Sequence, residues 1–216
     1  MTHLEFRPDL IVEATNACDR ICPGCYAPNV LVESGEAVSA PGAIHLSPEL
    51  MDRAWPQDIH VGTVSIRGGE PTLNPQIETI LRRTSEQAFT VYLETNGGWI
   101  APGSPLLAVL SERGCIVKLS LDKMHGTSVH EARRKLDILS RSNVKTAIAV
   151  TESTLEQFEL TRTRLLSEFD GEVFWQKKAA KEDELIRPVI GVISAKGQMK
   201  RGVENLFEGI SLFREA

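Results

Sequence analysis

The stretch "LIVEATNACDRICPGC", residues 10–25, joins an apolar, β-branched run to three closely spaced cysteines. The first six residues predict a strand over 10–15, and the polar residues after them predict an irregular loop. Three of the chain's four cysteines, Cys18, Cys22 and Cys25, lie on that loop. Clustered cysteines of this kind indicate metal binding or redox chemistry rather than a disulfide framework.

Five further apolar, β-branched runs follow the first, with helix-like segments between them. They are "VGTVSI" (61–66), "FTVYLET" (89–95), "CIVKLSL" (115–121), "VKTAIAV" (144–150) and "EVFW" (172–175). Their starts are 28, 26, 29 and 28 residues apart, which is typical of repeated β-α units. Right-handed helical crossovers make such strands parallel, and helices on one face let the sheet curl. The sequence therefore predicts an α/β fold, a partial (β/α)6 TIM-like barrel with parallel strands.

Capping residues mark where the intervening helices begin. Ser47, Asn74 and Ser104 each precede a proline, and this pair is typical of a helix start. Two later starts fit the capping box, in which a serine and a glutamate three residues on satisfy each other's backbone amides. The two pairs are Ser128 with Glu131 and Ser153 with Glu156.

The end of the chain departs from the β-α repeat. Residues 177–216 are predicted to form a C-terminal extension packed on a core domain of residues 1–176. In the extension, "VIGVIS" and "MKRGV" flank the turn "AKGQ" and predict a hairpin. The apolar spacing of "NLFEGISLFRE" (205–215) then predicts a short amphipathic helix.

Composition limits the partners and the compartment. The formal net charge is -5 and no long basic block occurs, which disfavours a nucleic-acid partner. The charged start and the lack of any run of 18 apolar residues predict no signal peptide and no membrane contact. A cytoplasmic protein is expected.

Three chemistries compete for the cysteine loop. A C-x-x-C redox pair leaves Cys18 without a role, and a structural zinc site normally needs a fourth ligand. Cys115 or a histidine would have to supply that ligand, but Cys115 begins a predicted buried strand, where a cysteine is usually an inert apolar residue. Three thiolates without a fourth suit a four-iron cluster that keeps one iron open.

Three later motifs occur in order at the ends of successive strands: "RGGEPTLNP" (67–75), "ETNGG" (94–98) and "SLD" (120–122). Together with the C-x-x-x-C-x-x-C spacing after the first strand, they resemble the radical S-adenosylmethionine (SAM) enzymes over about residues 9–176. With only Cys115 unassigned, the chain resembles a small single-domain member without auxiliary iron-sulfur clusters.

The resemblance implies specific roles. Cys18, Cys22 and Cys25 would be the catalytic ligands of a 4Fe-4S cluster, at which SAM is reductively cleaved to a 5'-deoxyadenosyl radical that abstracts hydrogen from a substrate. Gly24 stands where many members have an aromatic residue, and Tyr26 follows the cluster instead. The SAM-binding residues implied are Tyr26, Gly68, Gly69, Glu70, Asn96, Ser120, Asp122 and Val150.

The substrate is expected to be a peptide or protein, which an open barrel side can admit. A small metabolite or nucleoside is the alternative, and a non-catalytic iron-sulfur or zinc-binding protein is the alternative of another class. An external electron donor such as a flavodoxin or ferredoxin is expected, because no second all-cysteine cluster is possible. Further rim candidates are Arg67, Trp99, Lys123, Met124, His125, Trp175 and Gln176.

Overall fold

A computed structural model describes residues 6, 8–23, 25, 30–32, 40–121, 125–152, 154–166, 169–177, 191–196 and 199–200. The strands are β1 (Leu10–Thr15), β2 (Ala17–Cys18), β3 (Val30–Leu31), β4 (Val61–Gly68), β5 (Ala88–Thr95), β6 (Ile116–Ser120), β7 (Lys145–Glu152), β8 (Glu172–Lys177), β9 (Gly191–Ile193) and β10 (Met199–Lys200). The helices are α1 (Pro48–Ala54), α2 (Ile77–Gln87), α3 (Pro105–Glu112), α4 (Val129–Arg141) and α5 (Leu155–Leu166), and a 3-10 turn covers Pro71–Leu73.

One sheet contains all six strands that the sequence predicts. Its order is β10-β9-β1-β4-β5-β6-β7-β8, and each neighbouring pair from β1 to β8 is parallel. The predicted α/β fold with a parallel, TIM-like sheet is therefore confirmed. Because the strands are parallel, the loops after β1, β4, β5 and β6 all lie at the same edge of the sheet.

The two faces of the sheet differ in character. Alternate strand residues such as Val64, Ile66 and Leu93 face the helices and are buried in the main core with Ile80 and Leu81 of α2. On the opposite face, Phe6, Tyr92 and Phe174 form a separate aromatic cluster with centroid distances of 4.8, 5.2 and 6.1 Å. The helices therefore cover one face, as curling into a partial barrel requires.

Several helix starts follow the predicted capping chemistry. The Ser47 hydroxyl accepts a hydrogen bond from the Leu50 N–H at 3.3 Å, and Ser128 accepts one from the Glu131 N–H at 3.1 Å. Helix α3 begins after Ser104, but that side chain makes no capping bond. Ser153 lies outside the described residues.

The start predicted after Asn74 is wrong, because α2 begins at Ile77. The Asn74 amide instead donates to the carbonyls of Ala14 and Leu46, each at 2.8 Å, and its oxygen accepts from the Gln76 N–H at 2.8 Å. The asparagine is 1% exposed. Its role is to tie the end of the "RGGEPTLNP" segment to β1, which a capping rule does not anticipate.

The predicted C-terminal hairpin extends the sheet. Strands β9 and β10 are antiparallel, with Met199 opposite Ile193, and β9 lies parallel to β1 with Ile193 opposite Val12. The predicted helix over 205–215 lies outside the described residues. Within the described part of the chain, no helix is long and apolar enough to cross a membrane.

Candidate active site

The cysteine loop begins where β1 ends. Cys18 belongs to β2, is 6% exposed, and its carbonyl accepts a hydrogen bond from the Val32 N–H at 2.9 Å. Cys22 is partly exposed and Cys25 is exposed, and the Cys25 N–H donates to the Cys22 carbonyl at 3.1 Å. Burial raises the pKa of the Cys18 thiol to about 11, and the neighbouring backbone of Arg20 opposes that rise.

The donor set fits an iron-sulfur cluster better than a closed zinc site. All three clustered thiols lie on one loop at the carboxyl edge of the sheet. Cys115, by contrast, immediately precedes β6 and so lies at the opposite edge, buried to 1% exposure. Cys115 is therefore poorly placed to complete a fourth position. Cys18, Cys22 and Cys25 are all described, but no three or more His, Cys, Asp or Glu side chains of the described residues are grouped so that they could hold a metal ion, so cluster binding by these thiols stays a prediction.

The glycine pair after β4 packs directly against the chain that leads into Cys18. The Gly69 N–H donates to the Thr15 carbonyl at 2.8 Å, and the Glu70 N–H donates to the Ala17 carbonyl at 2.7 Å. A Cβ atom on Gly68 would lie 2.2 Å from the Thr15 oxygen, and one on Gly69 would lie 2.1 Å from the Ala17 oxygen. The glycines are thus required for close approach of two loops, whereas contact with SAM stays a prediction.

Glu70 is buried between the ends of β4 and β5. It is 2% exposed, and its Oε1 accepts hydrogen bonds from the hydroxyls of Thr72 at 2.7 Å and Thr95 at 2.8 Å. Its Oε2 accepts from the Asn96 N–H at 2.9 Å. Burial raises the pKa of the Glu70 carboxyl, and the hydrogen bonds oppose that rise. The carboxylate therefore fastens two strand ends together.

Asn96 connects the "ETNGG" segment to the cysteine loop. Its Nδ2 donates to Asp19 Oδ1 at 2.8 Å, and its Oδ1 accepts from the Gly98 N–H at 2.8 Å. The Asn96 carbonyl accepts a hydrogen bond from Lys135 Nζ at 3.2 Å. Every polar group of Asn96 is thus engaged by the protein, and a role for Asn96 in SAM binding remains a prediction.

A second set of contacts holds the other side of the same loop. Arg20 Nη1 donates to the His125 carbonyl at 2.6 Å, and Arg20 Nη2 lies 3.7 Å from Glu131 Oε1. Lys135 Nζ lies 2.6 Å from the same Glu131 oxygen. Sequence reasoning missed Asp19, Arg20 and Lys135 as site residues. The four-residue spacing of Glu131 and Lys135 signals an ion pair, but not that Lys135 is 1% exposed.

The face of the sheet opposite the helices carries an ion pair between Lys118 and Glu94. Lys118 is fully buried. Its Nζ lies 3.4 Å from Glu94 Oε1 and 3.6 Å from the centroid of the Phe6 ring. The Ser65 hydroxyl donates to the same Glu94 oxygen. Burial alone would raise the pKa of Glu94, but Lys118, Arg67 and Ser65 together lower it.

The remaining predicted residues are placed as follows. Ser120 ends β6 and is partly exposed. Val150 is fully buried in the core on the helix-facing side, so packing accounts for its position and an adenine contact stays a prediction.

Among the rim candidates, the Trp99 indole donates to Thr95 Oγ1 at 3.0 Å, and the ring of Trp175 stacks on that of Phe158 with centroids 6.0 Å apart. Gln176 belongs to strand β8. Gly24, Tyr26, Asp122, Lys123 and Met124 lie outside the described residues.

Two solved structures share this fold at low sequence identity. Native anSMEcpe with bound AdoMet and the Cp18Cys peptide matches with a TM-score of 0.57 and 18% identity, over 83% of this chain and 54% of that one. Native anSMEcpe with bound AdoMet matches with a TM-score of 0.58 and 18% identity, over 79% and 51%. The chain thus spans about half the length of these structures. No family model and no curated protein matches the sequence. Both structures contain bound AdoMet, and the chain shares their TIM-like barrel fold.

Proposed function

We propose that this chain is the core of a radical SAM enzyme that acts on a peptide or protein. Cys18, Cys22 and Cys25 would hold a 4Fe-4S cluster, and the loops after β4, β5 and β6 would bind SAM beside it. When bound there, such a cluster would supply the electron for reductive cleavage of SAM and so give access to radical chemistry on the substrate. An external donor such as a flavodoxin or ferredoxin would deliver that electron, in the cytoplasm.

One observation carries this proposal: the "RGGE" segment and the cysteine loop are in direct backbone contact. Gly69 and Glu70 hydrogen bond to Thr15 and Ala17, immediately before Cys18. Two sequence motifs that are about 50 residues apart in the chain therefore meet at one edge of a parallel sheet, where α/β proteins commonly bind ligands. The pairing of β1 with β4 creates this juxtaposition, and the proposed function gives it a use in binding SAM beside the cysteines.

The protein residues would position and shield rather than supply acid-base chemistry. The glycine backbone leaves little side-chain bulk at the end of β4, where the amine of SAM is expected to lie. Glu70 and Asn96 hold the two adjoining strand ends in register through the contacts above. A rigid edge of this kind orients a ligand before reaction, which is the larger part of what a protein adds to cofactor chemistry.

A peptide substrate is favoured over a small metabolite by one comparison. The anSMEcpe structure, which shares the fold, contains the bound Cp18Cys peptide as well as AdoMet. A small metabolite or nucleoside remains the alternative substrate class. Incubating the enzyme with SAM, a reductant and candidate peptides, and following the mass of each peptide, distinguishes the two.

The proposal is tested by comparing cysteine variants after anaerobic purification and cluster reconstitution. Wild-type protein is expected to bind iron and sulfide and to form 5'-deoxyadenosine from SAM only when reduced. Cys22→Ala is expected to abolish 5'-deoxyadenosine formation, because it removes one of the three cluster ligands. Cys115→Ala is the matched control and is expected to retain activity, since Cys115 lies at the other edge of the sheet.

Two results would contradict the proposal. One is wild-type protein that carries zinc and no iron after reconstitution. The other is a Cys115→Ala variant that loses iron as completely as Cys22→Ala while its unfolding transition is unchanged. An iron-loaded protein that never cleaves SAM would instead support the non-catalytic iron-sulfur alternative.

A further inference from the structure

The two residues after Cys18 are held by a polar network that also engages the loop after β5 and helix α4. We infer that Asp19, Arg20, Asn96, Glu131 and Lys135 form a loop clamp, whose function is to keep Cys18 buried and to make the cysteine loop retain its cluster. The part concerning the cluster rests on the proposed function; the part concerning Cys18 does not.

Arg20 connects the chain next to Cys18 with helix α4. It follows Cys18 by two residues, and its side chain reaches the His125 carbonyl at 2.6 Å and Glu131 at 3.7 Å. Fixing the Arg20 side chain therefore also restrains the backbone that leads out of Cys18.

Lys135 makes the far end of the clamp rigid. It is 1% exposed although it belongs to a surface helix, and a buried ammonium group must be paired. Its partners are Glu131 Oε1 at 2.6 Å and the Asn96 carbonyl at 3.2 Å. Glu131 is thereby held where Arg20 can reach it, and Lys135 and Arg20 share one carboxylate oxygen.

Asp19 provides the second point of attachment. Its Oδ1 accepts a hydrogen bond from Asn96 at 2.8 Å, and Asn96 is bonded in turn to Lys135 through its carbonyl. The clamp therefore has two branches that meet at Lys135. Asp19 is connected to Lys135 through Asn96, and Arg20 is connected to it through Glu131. Groups in such a network are coupled, so removing one member should weaken the others.

Arg20→Met and Glu131→Gln test the clamp, singly and together, with Arg141→Met as the matched control. Arg141 belongs to the same helix and pairs with Asp137 at 2.9 Å, but its side chain is 79% exposed and far from the loop. Lys135 is left intact because its removal would leave a buried void and Glu131 unsupported. Glu131→Gln keeps the side-chain shape, so it decides the question if Arg20→Met fails to fold.

The first measurement is the rate of iodoacetamide alkylation at Cys18 in the cluster-free protein, followed by peptide mass spectrometry. Cys115 is an internal control, because it is also buried, at 1% exposure against 6% for Cys18, and has a similarly raised pKa, about 11. In the clamp variants we expect alkylation to become about tenfold faster at Cys18 and to stay unchanged at Cys115, since losing a charged hydrogen bond costs about one order of magnitude or more. Because the two residues share one contact, the double variant should react more slowly than the product of the two single effects predicts.

The second measurement is iron loss from the reconstituted protein to a chelator. The clamp variants are expected to lose iron about tenfold faster than wild type and Arg141→Met, in line with residues that support metal ligands. Equal rises at Cys18 and Cys115, or no change at Cys18, would overturn the clamp. Faster alkylation of Cys18 without faster iron loss would overturn its role in cluster retention. A wild type that binds no iron would refute the proposed function, while the alkylation result would still decide the clamp.

Discussion

Replacing Gly69 with alanine perturbs the contact on which the site depends. The added methyl group would lie 2.1 Å from the Ala17 oxygen and 2.6 Å from its carbonyl carbon, both backbone atoms that no side-chain rotation can move. The two loops would have to separate by about 1 Å to reach ordinary contact distance. We therefore expect a loss of stability together with a loosened cysteine loop.

The magnitude follows from two contributions. Overpacking of a tight contact costs about 1–3 kcal/mol. The separation also weakens the hydrogen bonds from Gly69 to Thr15, at 2.8 Å, and from Glu70 to Ala17, at 2.7 Å, which contribute about 1 kcal/mol each. The expected decrease in the free energy of unfolding is about 3–5 kcal/mol, a large part of the 5–15 kcal/mol typical of a domain.

Urea unfolding followed by circular dichroism measures this loss, and Gly103→Ala is the control. Gly103 has a positive φ of 79°, but nothing lies within 4 Å of its added Cβ. The control should therefore cost only about 1–2 kcal/mol, from backbone strain. If Gly69→Ala cost no more than Gly103→Ala, the close approach of the glycine loop to the cysteine loop would be refuted.

Three further substitutions test the network around the site. Lys118→Met should lower the free energy of unfolding by about 2–4 kcal/mol, because it leaves the Glu94 carboxylate, which is 19% exposed, without its main cation. The folded pKa of Glu94 lies below its ordinary value of 4.5, so wild type should lose this stabilisation as the pH falls below 4.5 towards that lower pKa. Urea unfolding at several pH values should therefore show that the stability of the variant depends less on acid than that of wild type. Thr95→Val should cost about 1–3 kcal/mol and shift the fluorescence of Trp99, whose indole bonds to Thr95 Oγ1; an unchanged spectrum would contradict that contact. Burial raises the pKa of Glu70, so wild-type stability should fall as the pH rises above 4.5 towards the folded pKa. A Glu70→Gln variant whose stability kept the same pH dependence would argue against the burial of this carboxylate.

The periodic features of the sequence were enough to predict the sheet. Each of the six β-branched runs became a strand, because parallel strands buried by helices need continuous apolar residues, and these are visible locally. The hairpin turn near residue 195 was also predictable. The pairing of β9 with β1 was not, since it depends on two segments about 180 residues apart.

The sequence predicts a chemistry for the candidate site but not its internal contacts. The cysteine spacing and the glycine pair are local patterns, and the structure brings the glycine pair into contact with Thr15 and Ala17, just before the first cysteine. The roles of Asn74 and Lys135 are not local: each is a polar residue buried by neighbours from other elements, and nothing in its flanking sequence reveals its partners. Hence Asn74 was predicted to be a helix cap, and Lys135 was not predicted to belong to the site.

The central claim is that three cysteines hold a four-iron cluster and leave one iron open for SAM. Mössbauer spectroscopy tests this claim directly, on protein reconstituted with the Mössbauer-active isotope of iron and measured with and without SAM. We predict that adding SAM changes the signal of one iron of the cluster and leaves the other three unchanged. A spectrum that SAM does not alter, or one that shows four equivalent irons in its presence, would contradict the account.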